Sequence, residues 1–397
     1  MTNNKLIDDI LTRGVELVLP SKELLYKKLL FGEKLNVYVG VDATGNRVHL
    51  GHIVSLRKLQ KFADLGHHVT FVIGDFTAII GDTSDKNSER PVLTKEVIEE
   101  NFRTYKEQTS KILDYSKVEI RYNSEWLSKL SLDELLRIAS KFSVNDFIGR
   151  ELIKKRLSSG DRVSIPEMIY PLMQGYDSYY LDTDVQIGGT DQIFNMQAGR
   201  TLLSVLNNKD SYTISSRFLT GTDGRKMSKS WGNAIWLTDS PREVYGKVMS
   251  IRDDLIVEYF ELATSMDLDE IAKINEKLII SNPFEAKKIL ARRIVSELNG
   301  EDFVESAEEY FVSTVQNKTA TDDVLIVETD LRSINFDGLL EFFLEHKLIK
   351  SKSEGRRLKD QGGIYLNNEV FVGNSIEITG DIMIRLGKRR YIKLVSK

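Results

Sequence analysis

The chain has 397 residues, 41% apolar and 29% charged, which gives room for two or three domains with an ordinary core. It contains no cysteine, and this excludes disulfides, thiolate metal sites and cysteine nucleophiles together. No apolar run reaches the roughly 18 residues of a membrane span, and Asp8 and Asp9 interrupt the first apolar stretch, against a secretory signal. A cytoplasmic protein without membrane contact is expected. The net charge of -4 is unevenly spread: residues 332–397 carry 13 Lys+Arg against 8 Asp+Glu, or +5, which leaves -9 on residues 1–331. A basic C-terminal module on an acidic body suits a phosphate-rich partner, although on charge alone an uneven surface with no partner fits equally well.

In chain order, Leu6 to Glu16 predicts a helix lying outside the fold that follows. After Pro20 a second amphipathic segment places Leu24, Leu25, Leu29 and Leu30 on one face. Leu35 to Val41 reads as a buried strand, His52 to Leu65 as a helix with Ile53, Leu56, Leu59, Phe62 and Ala63 in its apolar stripe, and Val69 to Ile73 as a second strand. Strand, turn, helix and strand at these lengths make a βαβ unit, hence a parallel sheet with a right-handed crossover. The pattern returns later: Ile169 to Leu181 helical, Val185 to Ile187 strand-like, Gly188-Gly189-Thr190-Asp191 a turn, and Gln192 to Val205 helical. Two such halves define an α/β, Rossmann-like sheet with its ligand at the topological switch point. Residues 115–165 form a mixed insertion within a first domain of residues 1–225. A helical, charged domain follows over 226–325, Thr319 to Asp330 reads as a polar linker, and a small α+β domain closes the chain over 332–397.

His49-Leu50-Gly51-His52 closes the turn after a strand and opens a helix, where unpaired N–H groups and the helix dipole favour a phosphate. The two histidines, three residues apart, can face the same phosphate, and Gly51 lets a nucleotide approach the backbone. Only five histidines occur in the chain, so two at this spacing in this context weigh towards function over a plain helix start. Lys226-Met227-Ser228-Lys229-Ser230 follows a turn-rich lead from Leu219 to Gly224. Two lysines on such a loop can close over a triphosphate and neutralise a leaving pyrophosphate. Together the motifs point to an ATP-using enzyme. On the helix beginning near Ile169, Tyr170, Gln174 and Asp177 share one face. In the tail, Lys352, Arg356 and Arg357, with Lys359 close by, form a basic helix ahead of a Gly362-Gly363 hairpin.

The two signatures resemble those of class I aminoacyl-tRNA synthetases. Further stretches resemble bacterial tyrosyl-tRNA synthetases over nearly the whole length: Tyr38 to Thr44, Thr77 to Asp82 followed by Lys86 and Arg90, Tyr170 to Asp177, and Gln186 to Gln192. The resemblance implies ATP with Mg²⁺ as cosubstrate, no tightly bound cofactor and no dedicated metal cage. It implies L-tyrosine and tRNA(Tyr) as partners, and a homodimer meeting through residues 115–165. It assigns Tyr170, Gln174 and Asp82, with Thr77 nearby, to the substrate ammonium; it brings Tyr38 and Asp177 to the phenolic hydroxyl, and adds Gln186 to the tyrosine site. His49, His52 and Thr44 would meet the phosphates, and Lys86, Arg90, Lys226 and Lys229 the departing pyrophosphate. Asp42, Gly51, Gly189, Asp191 and Gln192 would hold the ATP and adenylate. The tail resembles a small RNA-binding fold, with Lys352, Arg356, Arg357 and Lys359 towards tRNA. The chain departs from the family's common Asp-Pro-Thr-Ala in having Asp42-Ala43-Thr44-Gly45, which loosens a turn without removing Asp42 or Thr44. Three alternatives stand at this point: a tryptophanyl-tRNA synthetase, a small nucleotidyltransferase and a non-catalytic RNA-binding paralogue.

Overall fold

A computed structural model describes residues 3–42, 45–81, 94–228, 231–316, 325–367, 369–378, 380–387 and 390–396. The chain divides into two compact units, Met1–Glu305 and Ser306–Lys397.

The first unit is built on a six-stranded sheet: β1 (Val15–Leu19), β2 (Asn36–Asp42), β3 (His68–Gly74), β4 (Val118–Tyr122), β5 (Val185–Gly189) and β6 (Tyr212–Ser216), in the order β1-β6-β5-β2-β3-β4. All pairings are parallel except β1 with β6. The central strands are buried on both faces, so they read as near-continuous apolar runs; Val37, Val39, Val69, Phe71, Val185, Ile187 and Ile214 form the sheet's share of the core. From β2 the chain runs outward through β3 and β4, then returns to fill the other side with β5 and β6. The carboxyl ends of β2 and β5 therefore diverge, and a crevice is left there for a ligand. The Leu50–Asp64 helix leaves β2 and buries Ile53, Leu56, Leu59, Phe62 and Ala63, the predicted stripe. The Ile165–Tyr180 and Ile193–Asn207 helices flank β5. They approach closely because Gly175 faces the backbone of Ala198 and Gly199, where a Cβ would sit 3.1 and 3.2 Å away.

Four sequence expectations change. The first helix spans Asn3–Thr12 and is part of this fold, burying Ile7, Ile10 and Leu11 in the sheet core; Val15 and Glu16 already belong to an edge strand. Its polar side is what local periodicity could not show. Asp9 pairs with Arg13 and Lys61, while Lys58 donates to Ile10 O at 2.9 Å and to Arg13 O at 2.5 Å. On the Lys22–Leu30 helix only Leu25 and Leu29 are buried, and Leu24 and Leu30 are exposed. Within residues 115–165, Val118–Tyr122 is a sheet strand, and the inserted helices begin only after it. In the expected linker, Leu325–Thr329 is a strand. The helices Pro241–Met249, Ile256–Ala263 and Pro283–Asn299 lie in the first unit, and Arg57 ties its signature helix to them by an ion pair with Glu297 at 2.5 Å.

The second unit has a sheet of β7 (Leu325–Thr329), β9 (Ile364–Leu366), β10 (Glu369–Val370), β12 (Ile382–Leu386) and β13 (Arg390–Ser396), ordered β10-β9-β12-β13-β7, beside a two-stranded pair of β8 (Ser333–Asn335) and β11 (Ser375–Glu377). The Phe336–Glu345 and Lys352–Asp360 helices cover a core around Leu339, Leu340, Phe343, Ile384 and Ile392. Gly355 lets the two helices meet, since a Cβ there would overlap the Leu340 side chain. The predicted Gly362-Gly363 hairpin is present as β9 and β10.

Candidate active site

A cavity of about 1060 Å³ opens at the carboxyl ends of β2 and β5. Of the expected site residues, Tyr38, Asp42, His49, Gly51, His52, Thr77, Tyr170, Gln174, Asp177, Gln186, Gly189, Asp191, Gln192 and Lys226 all line it. Thr44, Asp82, Lys86, Arg90 and Lys229 lie outside the described residues.

At one end, the Leu50–Asp64 helix begins with a cap made of histidine. His49 is its N-cap residue; its Nδ1 accepts from Gly51 N–H at 3.1 Å, and His52 Nδ1 accepts from His49 N–H at 3.1 Å. This reciprocal pair does the work usually given to Ser or Thr with Glu. With both Nδ1 atoms accepting, each neutral ring carries its proton on Nε2. Burial holds the rings neutral: His49 falls to about 2, with His52 and Lys226 adding to the effect, and His52 falls to about 4. The rings lie 3.9 Å apart, centroid to centroid. They are therefore two adjacent N–H donors without charge, at the positive end of a helix. Gly51 serves the cap itself, because a Cβ would come within 2.9 Å of His49 Nδ1. Opposite, Lys226 Nζ lies 3.4 Å from Asp191 Oδ2 and 3.8 Å from the centre of the Phe218 ring. Asn233 fixes the base of the lysine segment by accepting from Ser228 N–H at 2.9 Å and donating to Lys226 O at 3.2 Å.

At the other end, Asp42 is a hub. Thr77 Oγ1 donates to Asp42 Oδ1 at 2.7 Å, Tyr170 OH donates to Oδ2 at 2.9 Å, and Asn123 Nδ2 donates to Thr77 Oγ1 at 2.9 Å. The residue expected at the ribose thus organises two residues expected at the substrate ammonium. Deeper in, Asp177 Oδ1 accepts from Trp126 Nε1 at 2.7 Å and Oδ2 from Asn123 Nδ2 at 3.3 Å. Burial raises its carboxyl to about 8 against those two donors, which favours the protonated form at neutral pH. Tyr38 OH lies 2.9 Å from Ser178 Oγ, which donates to Gln186 Oε1 at 3.0 Å. Burial also raises the Tyr38 phenol and keeps it a hydrogen-bond donor.

Sequence reasoning missed Asn123, Trp126 and Ser178. The first two follow β4 directly in Tyr122-Asn123-Ser124-Glu125-Trp126, and recognising that strand would have put them at the sheet's functional edge. Ser178 is next to Asp177 and carried no signal of its own.

In the second unit, Lys352 pairs with Glu341 at 2.7 Å and Arg356 with Asp337 at 3.1 Å. Both pairs are exposed and cost little to exchange for another anion. Arg357 is exposed, whereas Lys359 sits 4.3 Å over the Phe336 ring and donates to Asn374 Oδ1 at 3.0 Å, a position committed to its own domain.

Residues 31–316 match the family model of class I tRNA synthetases (W and Y). The tyrosine–tRNA ligase of Dehalococcoides mccartyi strain 195 is 40% identical over 98% of this chain and 98% of its own, and that of Thermotoga maritima is 40% identical over 97% and 96%. A truncated mitochondrial tyrosyl-tRNA synthetase of Aspergillus nidulans has the same fold, with a TM-score of 0.65, 25% identity and coverage of 77% of this chain and 92% of that one. The chain belongs to the class I aminoacyl-tRNA synthetases. Within that class it stands among the tyrosine–tRNA ligases, a finding that favours tyrosine over the tryptophan alternative.

Proposed function

We propose that the cavity binds tyrosine and ATP end to end and carries out both half-reactions of a tyrosine–tRNA ligase. A tyrosine carboxylate oxygen attacks the α-phosphorus; the bond from that phosphorus to the bridging oxygen breaks, and pyrophosphate leaves. No side chain acts as a covalent nucleophile, so orientation and charge stabilisation carry the step. His49 and His52 donate from Nε2 to the α-phosphate oxygens, and Thr44 serves the same phosphates. Lys226, Lys229, Lys86 and Arg90 hold the pyrophosphate, which arrives with ATP as its Mg²⁺ complex. Gly189, Asp191 and Gln192 hold the ribose and adenylate. Asp42 positions Thr77 and Tyr170, which with Gln174 and Asp82 receive the ammonium, while Tyr38, Asp177 and Gln186 meet the phenol. A terminal hydroxyl of tRNA(Tyr) then attacks the tyrosyl carbonyl and releases AMP. The observation that carries this reading is the pair of neutral imidazole donors at a helix start facing Lys226. Its test is ATP–pyrophosphate exchange across the amino acids: tyrosine alone is expected to support it at low concentration. Equal exchange with tryptophan would overturn the choice of substrate.

The helices from Pro241 to Asn299 serve as the anticodon-side contact, and the second unit grips the tRNA through Lys352, Arg356 and Arg357. Because β7 belongs to the second sheet, a clean truncation removes residues from 325 onward. It is expected to leave exchange intact and to weaken tRNA charging, increasingly so as salt rises, since phosphate contacts release counterions. Charging by the truncated chain that matches the full chain at every salt concentration would dismiss the tail as a tRNA contact. Leu132, Leu136, Val144 and Ile165 are each exposed in the inserted region, and a homodimer formed there would cover them. Among the described residues no helix is long and apolar enough to cross a membrane, in keeping with a cytoplasmic enzyme.

A further inference from the structure

The two imidazoles bring hydrogen bonds to the phosphates but no charge, whereas the departing pyrophosphate carries several negative charges. A cation beyond the lysine motif stands on the same cavity wall. Arg47 lies two residues before His49, and both line the cavity. Both rest on Trp236: the guanidinium carbon lies 4.6 Å from that ring's centre, and the His49 ring meets it edge-on at 5.6 Å. Arg47 Nε donates to Thr238 Oγ1 at 2.9 Å and one Nη donates to Asp239 Oδ1 at 2.9 Å. Asp239 is buried and also receives Lys247 Nζ at 2.5 Å and Trp236 N–H at 2.8 Å. Asp239 is thus shared by two cations, and the Glu243 carboxylate also acts on both of them. The second Nη has no partner among the described residues. The side chain is 40% exposed and lines the cavity.

The geometry points to Arg47 as a further pyrophosphate-binding residue, held in aim by Trp236 and Asp239 and presenting its open Nη edge to the leaving group. A planar guanidinium matches phosphate oxygens in a way that an ammonium does not. When the α-phosphorus–oxygen bond breaks, its electron pair goes to the bridging oxygen, which becomes a terminal oxygen of pyrophosphate. Arg47 stabilises that anion without transferring a proton. The inference rests on the reading that His49 and His52 mark the α-phosphate.

The test compares wild type with Arg47→Met, which keeps the stem on Trp236 but removes charge and donors, and with Arg47→Lys. Exchange is measured with pyrophosphate, ATP and tyrosine varied separately, and pyrophosphate binding to each full-length protein is measured by calorimetry. Arg47→Met is expected to raise the KM for pyrophosphate by about 10-fold or more, the worth of one charge-assisted hydrogen bond. The KM for tyrosine should stay within about twofold, and Arg47→Lys should recover only part of the loss. A pyrophosphate KM that is unchanged, or that moves together with the tyrosine KM, overturns the role and makes Arg47 a latch for Thr238 and Asp239. His52→Ala separates the two readings: if it is inactive while Arg47→Met is normal, only the Arg47 role falls. If His52→Ala exchanges normally, the phosphate site itself lies elsewhere.

Discussion

Replacing His52 with alanine is expected to lower tyrosine-dependent ATP–pyrophosphate exchange by about 100- to 1,000-fold while tyrosine affinity changes little. The magnitude is that of one preorganised donor to a developing oxyanion in a dry site. The split follows from position, because His52 lies at the helix start and the Asp177 end of the cavity is formed by other elements. His49→Ala should cost as much in rate, and each alanine a further ~1 kcal/mol of stability, since both rings cap the helix. His49→Asn should return the stability, because an asparagine oxygen can accept from Gly51 N–H, without returning the rate. Stopped-flow adenylate formation and thermal melting read the two effects separately. Exchange at the wild-type rate in His52→Ala would remove the histidines from the mechanism.

The second large effect concerns Asp177. In Asp177→Asn one of the two oxygens that accept from Trp126 and Asn123 becomes an N–H₂ group, and a buried donor loses its partner. Such a loss costs roughly 1–3 kcal/mol of stability; because this side chain is also proposed to meet the phenol, the tyrosine KM should rise by about 10-fold or more and preference over phenylalanine should shrink. The same change has a pH signature. Asp177 has a folded-state pKa of about 8, above the ordinary 3.8. Across that interval the folded chain holds a proton that the unfolded chain has released, so stability declines as pH rises. The asparagine variant lacks this term. Its melting temperature without ligand should therefore gain on wild type between pH 5 and 8.5, and melting curves that stay parallel across that range would contradict the buried, protonated carboxyl.

The sheet was legible because its central strands are apolar on both faces and are separated by a helix of regular stripe. The cavity was legible because its chemistry is concentrated in short runs: the histidine turn, the lysine segment and the Tyr170 helix face. What stayed hidden depends on long-range partners. Asp9 looks like a surface charge on the first helix until Arg13 and Lys61 meet it, and that pairing lets the helix bury Ile7, Ile10 and Leu11 in the core. Leu24 and Leu30 share an apolar look with Leu25 and Leu29, but a nine-residue helix packed on the first helix buries a narrower stripe. Strand β4 is short and half polar, so Asn123 and Trp126 were not placed at the sheet's active edge. The resemblance named Asp42 but not its bonds, because which hydroxyls converge on a carboxylate is a property of packing.

The backbone closes one gap that the motifs leave open. Leu50 N–H donates to Ile235 O and Leu237 N–H to Val48 O, both at 2.9 Å, so the start of the histidine helix is stitched to the chain just beyond the lysine segment. The two signatures thus act as the fixed jaws of a caliper rather than as independent fingers. Any change that shifts one jaw, such as a proline that removes the amide at Leu50 or Leu237, re-gauges the opening for both. The spacing between the motifs along the sequence is then free to drift through the intervening loops, while their spacing across the cavity is not.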